Sequence, residues 1–192
     1  MDTPSDFATA RQSQLFTELV DVFLAEGFAH LTLDALTARL RCSKSTLYAL
    51  AGSREQLITA ATVHFFKRAT RQVEANVDPA APAREQVFAY LTAVGEALAV
   101  VSAQFMSDLD AFAPAREVYE QNTRIAADRV REIIDRGVAA GEFRGVNAAF
   151  AADVIATMMV RIQRGGVQDS LGIDDAPAYR ELAVILTGGL SS

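Results

Sequence analysis

Ser43-Lys-Ser-Thr-Leu-Tyr48 places three hydroxyls, an ammonium and a phenol within six residues. No general base stands beside them. The two histidines, His30 and His64, lie far apart in sequence and lack the spacing of metal ligands. The chemistry on offer is therefore recognition, not catalysis. Lys44, Ser45, Thr46 and Tyr48 are donors of suitable length for phosphate oxygens and base edges. The surrounding stretch is biased the same way. Between Arg39 and Arg54 there are four basic residues, Arg39, Arg41, Lys44 and Arg54, and no acid, in a chain whose net charge is −6. A local basic surface in an acidic protein expects a negative partner.

The elements that position these groups can be read from caps and periodicity. Leu15, Phe16, Leu19, Val20 and Phe23 form a helical stripe ended by Gly27. Thr32 suits the N-cap of the next helix, with Asp34 in its first turn and Leu33, Leu36 and Leu40 on one face. Ser43 caps a third short helix, after a tight Arg41-Cys42-Ser43 turn. Ser53-Arg-Glu-Gln56 fits a capping box that opens a long helix to about residue 76. Three short helices with a tight turn between the second and third describe a helix-turn-helix, whose work is to bring the start of its second helix to a major groove. Thr32 and Arg54, each at a helix start, are placed to grip phosphates.

Behind that region, Val77-Asp-Pro-Ala-Ala-Pro82 is a break, and a helix from Pro82 is expected to run to about residue 103. Further helices are expected from near Pro114, Asn147 and Pro177. Gly141 and Gly145 bracket a turn, and Gly165-Gly166 ends a helix before a short polar loop. The expected architecture is all-α, about nine helices: a DNA-binding domain over 1–53, a connecting helix over 54–76, and a helical bundle over 77–192.

Composition narrows the classes. Half the residues are apolar and about a fifth charged, as in a folded globular protein. Residues 1–71 carry eight Lys/Arg against seven Asp/Glu, while 72–192 carry ten against seventeen. The acidity thus sits behind the basic surface. A single cysteine, Cys42, forms no internal disulfide and reads as a small turn residue. With no secretory signal and no uncharged apolar run near 18 residues, a cytosolic location is expected. No Gly-x-Ser-x-Gly, phosphate loop or Cys pair is present, and no enzyme, metal or cofactor is expected.

Ser43-Lys-Ser-Thr-Leu-Tyr48 followed by Ser53-Arg-Glu-Gln-Leu57 resembles the signature of the tetracycline-repressor (TetR) family. The resemblance reaches back through Gly27-Phe28 and Thr32-Leu-Asp-Ala-Leu36, so residues 9–60 carry it. Behind them only Gly137-Val-Ala-Ala-Gly-Glu-Phe143 and the helix layout are similar. It implies an all-α homodimeric repressor that binds operator DNA and releases it when a small molecule enters the second domain. DNA contacts are then assigned to Thr32, Ser43, Lys44, Ser45, Thr46, Tyr48 and Arg54. The sequence departs from the pattern at Leu50, where the family has His or Tyr, and at Ala51, where it has Phe. Arg41 replaces a common turn glycine. A helical ligand-binding module with weakened DNA recognition is the alternative these departures raise.

Because the family keeps its effector in the second domain, Phe88, Leu91, Phe105, Met106, Leu109, Phe112, Tyr119 and Met158 are expected to border that site, and a weakly charged apolar molecule is the expected effector. The dimer is read from the residues themselves. From Ala148 to Ile162 twelve of fifteen residues are apolar, and the exceptions, Asp153, Thr157 and Arg161, make one narrow stripe. Such a helix has two faces to bury. Phe150, Val154, Ile155 and Ile162, with Tyr179, Leu182, Ile185 and Leu186 of the last helix, are the expected two-fold interface.

Overall fold

The computed structural model describes residues 4–143 and 147–190, with side chains over 11–143 and 147–189; the expected turn residue Gly145 lies outside the described residues. Among these residues the chain forms ten helices: α1 (Pro4–Glu26), α2 (Leu33–Arg39), α3 (Lys44–Leu50), α4 (Arg54–Ala75), α5 (Ala83–Leu98), α6 (Ala103–Ala111), α7 (Ala113–Ala139), α8 (Ala148–Gln163), α9 (Gly166–Leu171) and α10 (Asp175–Leu190).

The expected caps form. Thr32 Oγ1 accepts from Ala35 N at 3.1 Å, Ser43 Oγ from Thr46 N at 3.1 Å, and Ser53 Oγ from Gln56 N at 3.1 Å. Each meets a backbone N–H that the first helical turn leaves without an intrahelical partner. Two helices were not expected. Ser102 Oγ accepts from Phe105 N, so the helix expected from Pro82 to residue 103 ends at Leu98 and α6 begins anew. Gly165, at φ 74°, is followed by the single short helix α9 rather than a loop, and Gly172 at φ 69° closes it.

The compact units do not follow chain order. One contains residues 1–66 and 101–118, the other 67–100 and 119–192. The expected division at residues 53 and 76 therefore misses that α6 returns to the first unit. Ser102 N donates to Leu24 O at 2.9 Å, and the Phe105 ring meets Phe28 at 5.8 Å and Phe65 at 6.2 Å between centroids. Nor is α4 the only element shared by the units, since α7 also runs from one into the other.

In the second unit α10 packs along α5, where Gly95 permits the approach: a Cβ there would stand 2.9 Å from Tyr179 Cβ. The Gly137–Phe143 stretch closes α7. Gly141 takes φ 74°, Glu142 Oε2 accepts from Ala83 N at 2.6 Å and so caps α5, and a Cβ on Gly137 would strike the Phe143 ring at 2.5 Å. No single helix among the described residues is long and apolar enough to cross a membrane.

Candidate nucleic-acid interface

The tip of α3 is built by its own hydroxyls. Ser43 Oγ lies 2.7 Å from Ser45 Oγ and 2.8 Å from Thr46 Oγ1, while it also caps the helix. Leu47 is buried and anchors the helix from behind. That leaves Lys44, Ser45 and Tyr48 exposed on one side, with Tyr48 46 % accessible. A phenol left that open, in a protein whose other aromatics are mostly buried, is available for an outside partner. Lys44 Nζ bonds Asp34 Oδ1 at 2.7 Å, which joins the starts of α2 and α3. The Asp34 carboxylate holds the Lys44 ammonium above its ordinary pKa, so it stays charged at neutral pH. Thr32 Oγ1 is used as an acceptor by its cap, which leaves its proton free to be donated outward.

Arg54 differs from the expectation. Its guanidinium points into the unit and donates to three backbone carbonyls: Nε to Leu31 O at 3.1 Å, Nη2 to Phe28 O at 2.6 Å and to Ala29 O at 3.1 Å. The loop carbonyls after α1 have no helical partner, and a planar fork of donors satisfies several at once. Arg54 thus clamps this loop.

The same loop is held through its N–H groups by Asp108, which the sequence reading did not pair with Asp110 and gave no role. Asp108 Oδ2 accepts from Phe28 N at 2.6 Å and Ala29 N at 2.7 Å, and Gln104 Nε2 donates to its Oδ1 at 2.7 Å. The carboxylate is buried. Gly27, at φ 82°, makes room for it, since a Cβ there would lie 2.5 Å from Asp108 Oδ2. Asp108 N–H acceptance and Arg54 donation together fix Gly27–Leu31, the segment that delivers the chain to Thr32. A partner eighty residues away leaves no local pattern.

Arg41 takes φ 49°, a left-handed conformation that favours the glycine it replaces. It is exposed and lines an open groove with Arg11, Gln14, Leu40, Cys42 and Thr46. Cys42 is half-buried and burial raises its thiol pKa, which keeps it a turn residue rather than a thiolate. Leu50 and Ala51 are half-buried, and the small core is filled by Phe23, Phe28, Phe65 and Phe105.

The residues expected around an effector fall in both units. Phe105 and Leu109 are buried in the first unit, Met106 and Phe112 belong to it too, and Phe28 meets the Phe112 ring at 6.2 Å. Phe105 and Phe112 thus pack on Phe28, at the end of the loop that leads to α2. In the second unit Leu91 and Tyr119 are buried, Met158 is half-buried and Phe88 is exposed beside Arg84, Val184 and Thr187. Tyr119 belongs to a buried polar chain: its hydroxyl donates to Gln163 Oε1, and Gln163 Nε2 donates to Tyr179 Oη at 2.6 Å. Burial, then the neighbouring Tyr119, holds the Tyr179 hydroxyl well above its usual range, so it remains a neutral donor and acceptor. Among the described residues Thr92 Oγ1 is buried without a hydrogen-bond partner.

The expected interface set divides as well. Ile155, Ile162, Tyr179 and Leu182 are buried within the single chain and Leu186 is half-buried, because α8 and α10 bury those faces in their own fold. Phe150 and Ile185, each 68 % accessible, and Val154 are exposed, and so is Val184, which the sequence reading passed over. No group of three or more His, Cys, Asp or Glu placed to hold a metal occurs among the described residues.

The helix-turn-helix with a helical bundle behind it is the fold of TetR-family transcriptional regulators. A TetR-family regulator from Agrobacterium tumefaciens superposes with a TM-score of 0.72 at 11 % identity, over 96 % of this chain and all of that one. A Saccharomonospora viridis protein solved in complex with choline gives 0.74 at 16 %, over 96 % and 99 % of the two chains. The reduced form of E. coli NemR gives 0.70 at 15 %, over 95 % and 98 %. No family model and no curated protein sequence matches the chain.

Proposed function

We propose that the chain is a TetR-family transcriptional regulator: a homodimeric repressor that binds operator DNA through α3 and releases it when a small molecule occupies its second unit. The observation that carries the reading is the tip of α3, where Lys44, Ser45 and Tyr48 stand exposed on a helix whose start is knitted by Ser43 and Thr46. Donors held on a rigid scaffold and aimed outward suit base edges and phosphates. Thr32 adds an outward proton at the start of α2.

The dimer is supported by the exposed apolar side chains of α8 and α10, Phe150, Val154, Val184 and Ile185. Two such helices from each of two copies make a four-helix contact under two-fold symmetry. For the effector, the reading is supported by the second unit's apolar Leu91 and Met158, the buried Tyr119–Gln163 pair and the unpartnered Thr92 hydroxyl. That combination suits a small, weakly charged, mostly apolar molecule with one or two polar groups. An effector that moves the DNA-bound population from 99:1 to 1:99 needs about 5.5 kcal/mol of differential affinity, and operator must weaken the effector by the same factor.

The test is fluorescence anisotropy on duplexes from the region upstream of the chain's own gene, with and without candidate apolar compounds. Salt-dependent binding to one duplex at nanomolar protein is expected. Absence of binding to any duplex, with the chain folded and dimeric, would leave only the ligand-binding module.

A further inference from the structure

Asp34 presents a carboxylate, 78 % accessible, on the surface that the proposed function turns toward a polyanion. Repulsion by phosphates makes an acid there unfavourable unless it meets a donor in the bound state. An acid in the first turn of α2 also suits the helix dipole, but that role is open to any first-turn position and requires no contact with α3. The observed contact is specific. Asp34 Oδ1 holds Lys44 Nζ at 2.7 Å, the lysine remains 54 % accessible, and both groups end at the same place on the helix pair. One carboxylate oxygen and two ammonium protons remain unused by that bond.

A preformed acceptor–donor couple has a matching edge in DNA. In the major groove a C·G pair shows the cytosine N4 amino donor next to the guanine O6 and N7 acceptors. We propose that Asp34 and Lys44 together read one C·G base pair in each operator half-site, Asp34 accepting from cytosine N4 and Lys44 donating to guanine O6 and N7. This rests on the DNA-binding reading and gives it a specificity. A T·A pair at that position sets the thymine methyl and O4 against the carboxylate and leaves the ammonium one purine acceptor instead of two. The ion pair also fixes the lysine before binding, so that less side-chain freedom is lost on contact.

The experiment is selection from a pool of randomised duplexes, followed by anisotropy on the enriched half-site and its single-base variants. The wild-type chain is expected to enrich one invariant C·G position, and replacing it by T·A should weaken binding about tenfold to a hundredfold. Asp34→Ala should reduce that discrimination to less than about threefold while leaving affinity for non-specific DNA equal or higher, because a negative charge has gone. Asp34→Asn should move the preference toward adenine, whose N6 and N7 an amide reads bidentately. The position is exposed, and unchanged helical circular dichroism would confirm that both variants fold. Enrichment of an operator whose preferences are the same in wild type, Asp34→Ala and Asp34→Asn would overturn the inference and leave the DNA-binding reading standing. Enrichment of no sequence by the wild type would overturn both.

Discussion

The two units treat their surfaces in opposite ways. Among the described residues, the exposed large apolar or aromatic side chains include Phe88, Phe150, Val154, Val184 and Ile185 in the second unit, and only Tyr48 in the first. The first unit instead spends its polar groups on holding a loop from both sides and on presenting donors. Net charge does not separate them: residues 1–66 and 101–118 carry six Lys/Arg against ten Asp/Glu, and residues 67–100 and 119–192 twelve against fourteen. A surface that meets a polyanion needs donors held still, whereas one that meets a second copy of itself needs apolar area. Under the proposed function, the difference between the units is the difference between those two partners.

The largest expected effect tests how rigidly the first unit is held. Asp108→Ala leaves the buried N–H of Phe28 and the part-buried N–H of Ala29 without their carboxylate acceptor, and should cost about 3 kcal/mol of stability. Glu74→Ala in the second unit removes one carboxylate partner of Arg129, at 3.0 Å, but that pair is partly open to solvent and Glu132 remains at 3.3 Å, so the cost should be only about 1 kcal/mol. Chemical denaturation of the two variants measures both. Equal losses would mean that the loop clamp is not special.

The second effect tests the apolar face. Phe150→Asp, alone or with Ile185→Asp, should leave the helical circular dichroism unchanged and weaken dimerisation at least about thirtyfold, as truncation of a central apolar anchor does. Sedimentation at micromolar concentration should then find a 20.7 kDa monomer. Tyr48→Ala should do the reverse, abolishing operator binding in an intact dimer. A wild-type chain that sediments as a monomer would end the comparison at once.

How far the sequence could be read follows the range of the interactions. Thr32, Ser43 and Ser53 cap helices through bonds to residues three places on, and such bonds write themselves into local spacing. The helix start at Ser102 has the same cap but followed an apolar run that masked it. Asp108 and the return of α6 to the first unit depend on partners about eighty residues away, for which one sequence has no periodic signal. For that reason Phe105, Leu109 and Phe112 read as walls of an effector site, while Phe105 and Leu109 are buried in the first unit and Phe112 meets Phe28 there. Arg54 was correctly placed at a helix start, but spacing does not say whether a side chain points out to phosphate or in to carbonyls.

Arg54 supplies the third test. Bound to three loop carbonyls, it should contribute to stability and not to counterion release. Arg54→Ala is expected to lose about 2 kcal/mol in denaturation and to weaken DNA binding indirectly, with the slope of log affinity against log salt unchanged. A slope flatter by about one unit would return Arg54 to the phosphate backbone.

Arg41 supplies the smallest effect and the sharpest sign. Its φ of 49° is unfavourable for a residue with a Cβ, so Arg41→Gly should stabilise the fold, by about 0.5–1 kcal/mol and a few degrees in Tm. The glycine's greater freedom in the unfolded chain offsets part of that gain, which is why the expected figure is below the full left-handed penalty. If the guanidinium faces phosphate from the groove it shares with Arg11 and Thr46, the same variant should bind operator more weakly, with the salt slope reduced by about 0.9. Stability up and DNA affinity down in one substitution would show that the strained turn is kept for its charge. Stability up with an unchanged salt slope would mean that the first unit meets DNA through α3 and Thr32, without the turn.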